Sequence, residues 1–225
     1  MRHPKRALLS WSSGKDSAFA LHVLRQQQGV EIVGLMTTVS EPYARVAMHG
    51  VRVELLRAQA DAAGLPLWEV LLPSPCDNAQ YEMRMSAVLA RARDEGIGAV
   101  AFGDLFLEDI RRYREERMVG TGIEPIFPLW GRPTAALAHE MVALGLRARI
   151  TCVDPQKLPR SYAGRDFDEA LLAALPTSVD PCGERGEFHT FAYDGPMFRR
   201  GVAITTGEVV ERDGFVFADL LTAPL

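Results

Sequence analysis

The spacing of apolar residues changes repeatedly along the first half of the chain, from strand-like runs to helical periodicity. Short apolar or β-branched runs, typical of buried strands, occur at Arg6–Trp11, Val30–Val39, Leu65–Pro73 and Ile97–Leu105. Apolar residues at helical spacing, ended in each case by glycine, occur at Asp16–Gly29, Gly50–Gly64 and Asn78–Gly96. Strands that alternate with helices of this length form parallel sheets with right-handed crossovers. The pattern therefore predicts an α/β fold with helices on both faces of a parallel sheet.

The pattern beyond residue 121 predicts a second, smaller region. Three prolines within residues 122–133 indicate a junction. After it we expect a helix, a strand and a second helix at Thr134–Gly145, Leu146–Asp154 and Phe167–Pro176. Two turn signals, Thr206-Gly207 and Asp213-Gly214, lie between β-rich runs and predict a small antiparallel ending. The sequence thus predicts two domains, residues 1–132 and residues 133–225, the second of mixed α/β structure.

Composition and charge narrow the classes of partner and location. The chain has 225 residues, a formal net charge of −4 and 48% hydrophobic residues, which gives no reason to expect nucleic acid or a membrane surface as a partner. No apolar run approaches the ~18 residues that span a bilayer, and the N-terminus lacks a signal-peptide pattern. Cys76, Cys152 and Cys182 are too widely spaced for a disulfide framework or a zinc motif. We therefore predict a cytoplasmic protein with reduced thiols.

A short loop rich in serine, glycine and lysine connects the first predicted strand to the first helix. Its sequence, "SSGKDS" at Ser12–Ser17, departs from the Walker A pattern, because Leu9 stands where that pattern requires glycine and Asp16 where it requires serine or threonine. It also lacks the three glycines of a dinucleotide fingerprint, since Gly14 is its sole glycine. Both classes of phosphate loop are therefore excluded.

The position of this loop nevertheless favours phosphate binding. Open α/β sheets bind ligands at the carboxyl ends of their strands, and the N–H groups at a helix N-terminus attract anions. Lys15 would add a positive charge, and Asp16 would hold Mg2+ together with the phosphates. The alternative is that Ser13 or Asp16 merely caps the helix and that Lys15 is solvated.

The loop and three longer segments resemble one known family. "SSGKDS" is similar to the SGGKDS signature of the ATP pyrophosphatases, or PP-loop enzymes, with Ser13 in place of the first glycine. "CGERGEFHTFAYDGPMF" at Cys182–Phe198 resembles the C-terminal signature of the diphthine–ammonia ligase-like branch of that family. The segments Met48–Val70 and Phe102–Glu116 resemble its other motifs, so the resemblance covers residues 7–198.

The resemblance implies a fold, cofactors and a reaction. The fold would be Rossmann-like, of the HUP type, with the nucleotide bound by residues 1–132 and the substrate by residues 133–225. ATP pyrophosphatases cleave ATP between the α- and β-phosphates, so we expect ATP and Mg2+ as cofactors. The implied reaction is that of an amide-forming ligase, which adenylates a carboxylate and then transfers ammonia or an amine to it. The acceptor would be a small-molecule or protein carboxylate (diphthine on translation elongation factor 2 in the family itself), and a homodimer is left open.

Site residues are predicted from the resemblance and from position on the sheet. The predicted nucleotide-binding residues are Ser12, Ser13, Gly14, Lys15, Asp16, Ser17, Met36, Gly103 and Asp104, of which Asp16 and Asp104 would also hold the metal. The predicted catalytic residues are Lys15, Asp16, Glu184 and Glu187. The predicted substrate-binding residues are Asp109, Arg112, Arg114, His189 and Thr190. Met36 would offer backbone groups to adenine, the two glutamates would orient or deprotonate the amine, and His49 is a further candidate for contact with the nucleotide.

Two other functions stay open from the sequence alone. A tRNA-modifying PP-loop enzyme that inserts sulfur would need a CxxC pair or a catalytic cysteine near the loop, together with a basic face, and neither is visible. A non-catalytic protein that binds ATP or AMP would have no use for the lysine–aspartate pair and the two glutamates. For individual residues the simpler alternatives are solvated glutamates, a packed histidine at His189 and exposed ion pairs around Arg112.

Overall fold

The structure confirms the predicted α/β fold class. This computed structural model describes residues 3–46 and 50–223. Within these ranges, a mostly parallel sheet flanked by helices is followed by a separate antiparallel sheet. No helix in the described ranges is long and apolar enough to cross a membrane.

The parallel sheet and its helices occupy the first half of the chain. Its strands are β1 (Lys5–Ser10), β2 (Val30–Ser40), β3 (Arg45–Val46), β4 (Leu67–Leu72), β5 (Ala99–Ala101) and β6 (Glu124–Ile126). Its helices are α1 (Lys15–Gln26), α2 (Val53–Ala63), α3 (Asn78–Asp94) and α4 (Glu108–Met118). Local sequence fixes several of their ends: Asp77 and Gln80 form a capping box that begins α3, and Gly64 ends α2 in the left-handed conformation.

The strand order creates a crevice beside β1. The parallel strands lie in the order β4-β2-β1-β5-β6, and the short β3 pairs antiparallel with the end of β2. The chain therefore places β2 and β4 on one side of β1 and then crosses to the other side, where β5 and β6 lie. Such a reversal leaves a ligand-binding crevice at the carboxyl ends of the two central strands. The loops that follow β1 and β5 both lie at this crevice.

The antiparallel sheet has the order β8-β7-β10-β9. Its strands are β7 (Arg147–Val153), β8 (Phe188–Asp194), β9 (Ile204–Arg212) and β10 (Phe215–Thr222), and the helices of this region are α5 (Thr134–Ala143) and α6 (Glu169–Ala174). Asp213 and Gly214 connect β9 to β10 with φ angles of 52° and 81°. Positive φ at both positions is what the tight turn of a two-residue hairpin requires, as the sequence predicted.

Two clusters of buried side chains cover the two faces of the parallel sheet. One cluster joins α3 and α4 to the sheet and includes Leu89 and Met118. The other contains Leu21 and Leu24 of α1 and continues into the antiparallel sheet through Phe191. Helix α1 therefore packs between the two sheets, and its N-terminus lies where they meet.

Two predictions for the second half of the chain are corrected, and one strand was missed. Residues 122–133 are more than a junction, because Glu124–Ile126 form β6 at the edge of the sheet, where proline is tolerated. The prediction of a turn at Thr206-Gly207 is wrong, because both residues lie within β9. There β9 carries one more residue than β10 between successive pairs, and the extra residue makes a bulge. Strand β8 was not predicted from the sequence.

Candidate active site

The N-terminus of α1 opens onto the crevice without a side-chain cap. Its N-cap residue is Gly14, which has no side chain to cap the helix, so the alternative in which Ser13 or Asp16 caps the helix is wrong. Lys15 is 2% exposed and is therefore not a solvated side chain either. The N–H of Lys15 bonds the hydroxyl of Thr190, and the first turn directs the positive end of the helix dipole to the crevice, where it favours an anion.

The ammonium group of Lys15 is buried and bound on several sides. Its Nζ lies 2.9 Å from a carboxylate oxygen of Asp16 and donates to the carbonyl of Cys182. It also lies 5.5 Å from the ring centroids of Phe167 and Phe188, within the range of cation–π attraction. Burial alone would lower the pKa of Lys15, but the neighbouring carboxylate of Asp16 raises it above its ordinary value. The lysine therefore carries a positive charge in the loop between β1 and α1.

Two buried carboxylates shape the loop that precedes β8. Asp180 accepts hydrogen bonds from the N–H of Cys182 at 2.9 Å and from the hydroxyl of Thr134 at 2.6 Å. Glu187 accepts hydrogen bonds from the N–H groups of Asp180 and Arg185, both at 2.9 Å. Because both oxygens of Glu187 serve backbone donors, its geometry favours support of the loop over the predicted catalytic role.

Glu184 faces the crevice from the same loop. One of its oxygens accepts a hydrogen bond from the N–H of Leu105 at 2.8 Å, which ties this loop to the segment after β5. Burial raises the pKa of Glu184 to about 7, and the charges of Asp16 and Asp104 act in the same direction. A carboxyl group with a pKa near neutrality is suited to taking up and releasing a proton.

The segment after β5 closes on α1 at Gly103. A Cβ built on Gly103 would lie 3.0 Å from the backbone of Asp16, so this approach favours glycine for its lack of a side chain. The next residue, Asp104, pairs with Arg114 of α4 at 3.0 Å. The guanidinium of Arg114 lies 4.5 Å from the ring centroid of Phe102, which fixes both charges at the edge of the crevice.

Two adjoining cavities occupy the crevice. The loop cavity has a volume of about 250 Å³ and is lined, among the predicted residues, by Ser12, Lys15, Asp16, Ser17, Gly103, Asp104, Arg114, Glu184, His189 and Thr190. The strand-end cavity has a volume of about 340 Å³ and is lined by Met36, Thr37, Thr38, Tyr81 and Met85, among others. Ser10, Ser12, Phe102 and Arg114 line both cavities. One elongated ligand can therefore extend through the two.

Some predicted residues do not reach these cavities. Asp109 and Arg112 are exposed on α4 and line neither cavity. Ser13 is fully buried behind the loop, and Glu187 is occupied by the loop backbone. His49 lies outside the described residues.

Met36 lies at the strand-end cavity, but its carbonyl is already engaged. It accepts a hydrogen bond from the N–H of Trp11 at 2.7 Å. Successive residues of a strand direct their backbone N–H and C=O groups to opposite edges. Thr38, two residues after Met36, therefore directs its backbone groups to the same edge of β2 as Met36. The pairing of β1 with β2 ends at Met36. Thr38 lines the same cavity.

His189 and Thr190, in β8 of the antiparallel sheet, lie beside the Ser12–Ser17 loop, which we call the phosphate loop. The hydroxyl of Thr190 accepts a hydrogen bond from the N–H of Lys15 at 3.1 Å. Burial lowers the pKa of His189 to about 4, and the positive charges of Lys15 and Lys157 lower it further. The imidazole of His189 is therefore neutral near pH 7.

Gln59 supports the site and was missed by the sequence analysis. It is fully buried in α2, where its amide donates to the carbonyl of Ser13 at 2.9 Å and accepts from the indole N–H of Trp11 at 2.9 Å. Glutamine is mostly exposed in proteins, so the residue type alone does not indicate that Gln59 is buried. Its position in the sequence does indicate burial. Gln59 follows the buried Leu55 and Leu56 by four and three residues and therefore lies on the buried face of the helix.

This geometry defines a nucleotide-binding α/β protein of the PP-loop type, with a phosphate loop shared between two sheets. Sequence models of the diphthamide synthase N-terminal and C-terminal domains match residues 5–123 and 133–218. The chain belongs to this family, and the predicted resemblance is confirmed.

Individual relatives agree with this assignment. The chain is 31% identical to a diphthine–ammonia ligase of Danio rerio over 230 residues, which cover 92% of this chain and 89% of the relative. It is 26% identical to a diphthine–ammonia ligase of Homo sapiens over 236 residues, which cover 92% of this chain and 85% of the relative. A tRNA-specific 2-thiouridylase of Desulforamulus reducens is 24% identical, over 62% of this chain and 47% of the relative. The protein is thus an enzyme of the ATP-dependent ligase type.

Replacing Ser13 by glycine is expected to stabilise the protein. Ser13 has a φ of 68°, which costs a residue with a side chain about 1 kcal/mol. Its buried Oγ has no hydrogen-bond partner among the described residues, which costs roughly 1 kcal/mol more. Glycine loses about 0.5–1 kcal/mol of additional backbone entropy on folding, so we expect a net gain of about 1 kcal/mol and a rise in Tm of about 2–4 °C.

Thermal denaturation of Ser13→Gly beside Ser12→Gly checks this prediction. The Oγ of Ser12 lies 3.3 Å from the N–H of Gly14 and 3.1 Å from the Oγ of Ser17, so its loss is expected to lower the Tm. A Ser13→Gly variant that melts below the wild type would show that the hydroxyl has a partner in solution.

Substitutions of Glu184 and Glu187, in the loop that precedes β8, are expected to differ in their effect on the free energy of unfolding. In Glu187→Gln, one backbone donor, that of Asp180 or Arg185, would face an amide N–H2 in a buried position, at a cost of about 1–3 kcal/mol. In Glu184→Gln, the amide oxygen still accepts from Leu105, and we expect a change within about 0.5 kcal/mol. Urea denaturation of the matched pair measures the difference. Equal effects would contradict the structural role assigned to Glu187.

Proposed function

We propose that this enzyme adenylates an acceptor carboxylate with ATP and transfers ammonia to it. A carboxylate oxygen attacks the α-phosphorus, the bond to pyrophosphate breaks, and an acyl-adenylate forms. The nitrogen of ammonia then attacks the acyl carbon, the bond to AMP breaks, and the amide is released. The observation that carries this proposal is the uncapped N-terminus of α1 in a cavity that also holds Glu184, whose pKa is raised to about 7.

The two adjoining cavities fit the two parts of ATP. Phosphates would lie in the loop cavity, against the first turn of α1 and near the ammonium of Lys15. The nucleoside would lie in the strand-end cavity, between the aromatic and thioether side chains of Tyr81 and Met85 and the backbone of Thr38. Pre-positioned N–H groups and a fixed positive charge stabilise the charge that develops on a transferring phosphate.

Mg2+ fits the loop cavity only together with the phosphates. The described residues contain no cluster of three metal-ligating side chains, but magnesium bound to a nucleotide needs only one or two carboxylates beside the phosphate oxygens. Asp16 and Asp104 both line the cavity and would supply them. Their present partners, Lys15 and Arg114, would then turn their positive charges to the phosphates. The ion would supply charge neutralisation at the transferring group.

Glu184 is assigned to the second step, as the base that accepts a proton from the attacking ammonia. Its pKa of about 7 lets it be ionised at neutral pH without being too weak a base. Relatives at 31% and 26% identity are named diphthine–ammonia ligases. That name supports ammonia as the nucleophile and a carboxylate-bearing molecule, diphthine among the candidates, as the acceptor.

Sulfur transfer to tRNA is disfavoured by the state of the nearest thiol. Cys182 is the cysteine that lines the loop cavity among the described residues, and its thiol donates to the carbonyl of Thr134 at 3.4 Å. Burial raises the pKa of Cys182 to about 12. Because the thiolate is the reactive form, this cysteine is a poor sulfur carrier. The partial match to a tRNA-specific 2-thiouridylase, at 24% identity over 62% of this chain, therefore does not favour sulfur transfer.

Product analysis tests the first step. With Mg-ATP labelled at the α-phosphate, a panel of carboxylic acids and ammonium, we expect AMP and pyrophosphate rather than ADP and phosphate. Gly103→Ala is expected to lower AMP formation by about tenfold or more, because the new Cβ pushes the segment after β5 away from the phosphate loop. Gly29→Ala is the matched control, since a Cβ there meets nothing within 4 Å. ADP as the labelled product would refute the proposal, and AMP formed without any acid would refute the acceptor step.

The amide-forming step is expected to depend on the ionisation of Glu184. Its pKa is raised to about 7, so the base is protonated below that pH, and the rate of amide formation should fall as pH decreases through about 7. Glu184→Gln is expected to lose this limb and to be slower by about 100-fold. Rates are measured with the concentration of free ammonia held constant at each pH. An unchanged profile in the variant would remove Glu184 from the mechanism.

A further inference from the structure

A third cavity borders the loop cavity at His189. This hairpin cavity has a volume of about 440 Å³ and is lined by Ser40, Arg45, Cys152, His189, Arg212 and Phe217, among others. It is bounded by the end of β2 on one side and by the β9–β10 hairpin on the other. ATP placed in the first two cavities leaves it vacant, and its volume lies in the range of small-molecule sites.

His189 joins this cavity to the reaction site. It lines both the hairpin cavity and the loop cavity. Cys152 pairs with it across β7 and β8, and directly paired residues carry their side chains on one face of a sheet. The following residue, Thr190, bonds the N–H of Lys15 at 3.1 Å. A ligand that passes His189 therefore arrives next to the phosphate loop.

The route past His189 is compatible with attack at phosphorus. Attacking and leaving oxygens lie roughly in line on opposite sides of the phosphorus, so the acceptor would enter opposite the leaving pyrophosphate. His189 lines both the hairpin cavity and the loop cavity, and its ring is neutral near pH 7 because burial lowers its pKa to about 4. A neutral imidazole at this position would not trap a passing carboxylate in an ion pair.

The walls of the hairpin cavity indicate the chemistry of its ligand. Phe215 and Phe217, with ring centroids 6.5 Å apart, form an apolar wall. Arg212 lies 5.1 Å from the ring centroid of Phe217, and its contact with Asp213 is long, at 4.0 Å. Arg45 is instead bound to a carboxylate at 2.9 Å. The apolar wall suits an apolar arm, and the positive charge of Arg212 would attract an acid into the cavity.

We propose that the hairpin cavity binds the acyl acceptor, as a carboxylic acid carried on an apolar arm, whose carboxylate reaches ATP past His189. This inference rests on the proposed function. It assigns acceptor recognition to the β9–β10 hairpin, outside the phosphate loop and the C-terminal signature.

Binding of simple acids tests the site directly. The probes are hydrocinnamate and hexanoate, with their neutral amides as controls, added to the full chain with an ATP analogue that cannot be cleaved between the α- and β-phosphates. Ligand-observed NMR measures their affinity for the wild type and for Cys152→Phe, whose ring fills the cavity. We expect at least one acid to bind more tightly than its amide. Cys152→Phe should weaken binding by about tenfold or more, since the ring takes the volume in which the arm is buried.

Two further variants keep the test decisive. Cys152 is 2% exposed, and a phenyl ring there can unfold β7, so Ser74→Trp narrows the cavity from an exposed position at its rim. Val209→Phe adds the same ring as Cys152→Phe, but to β9 of the hairpin at a side chain that is 38% exposed, and this variant should bind the acid like the wild type. The affinity for the ATP analogue should stay the same in all variants. Failure of both acids to bind, or equal binding by Ser74→Trp and the wild type, would overturn the inference.

The outcome is separable from that of the proposed function. If the acids bind as expected but no acid supports AMP formation, the ligase mechanism fails and the acid site stands. If an acid supports AMP formation but its KM is the same in the wild type, Cys152→Phe and Ser74→Trp, the mechanism stands and the assignment of the hairpin cavity fails.

Discussion

The buried side-chain amide of Gln59 holds the phosphate loop in place between the two sheets. It donates to the carbonyls of Ser13 and Ala192 and accepts from the indole of Trp11. The N–H of Ala192 adds a further bond to the carbonyl of Ser13 at 2.9 Å. One residue of α2 thus fixes the loop after β1 to strand β8. Because these groups are shielded from water, the loss of any one partner would leave buried donors or acceptors unsatisfied.

This connection explains why the site combines groups from both halves of the chain. The first half supplies the uncapped N-terminus of α1 and the charges of Lys15 and Asp16. The second half supplies Glu184 and Thr190, which reach the loop because β8 lies beside it. The raised pKa of Glu184 is a consequence of burial in this arrangement, and it would be lost if the sheets separated.

The fold was predictable from the sequence where it depends on hydrophobic periodicity and on residues that form turns. The alternation of strands and helices, the loop at Ser12–Ser17 and the hairpin at Asp213-Gly214 were read correctly from local pattern. Short elements without hydrophobic periodicity were not predicted. An example is β6, whose three residues include a proline. The bulge in β9 was mistaken for a turn because a threonine–glycine pair serves either purpose.

The site was less predictable, because identical side chains take different roles according to what surrounds them. Glu184 and Glu187 look equivalent in the sequence, yet one faces a cavity and the other bonds the backbone of its own loop. Asp180 was overlooked, although aspartate before proline and glycine commonly bonds the backbone two residues on, as it does with Cys182. The hairpin cavity has no local signature, since it depends on how the two sheets pack together.

Transfer of oxygen from the acceptor to AMP tests the central claim most directly. An acid that supports AMP formation is prepared with heavy oxygen in its carboxylate, and the AMP released during amide formation is analysed by mass spectrometry. If the carboxylate attacks the α-phosphorus, one labelled oxygen stays on AMP when ammonia displaces it. Unlabelled AMP accompanied by amide would mean that no acyl-adenylate forms, and the account of this site as an adenylating ligase would be wrong.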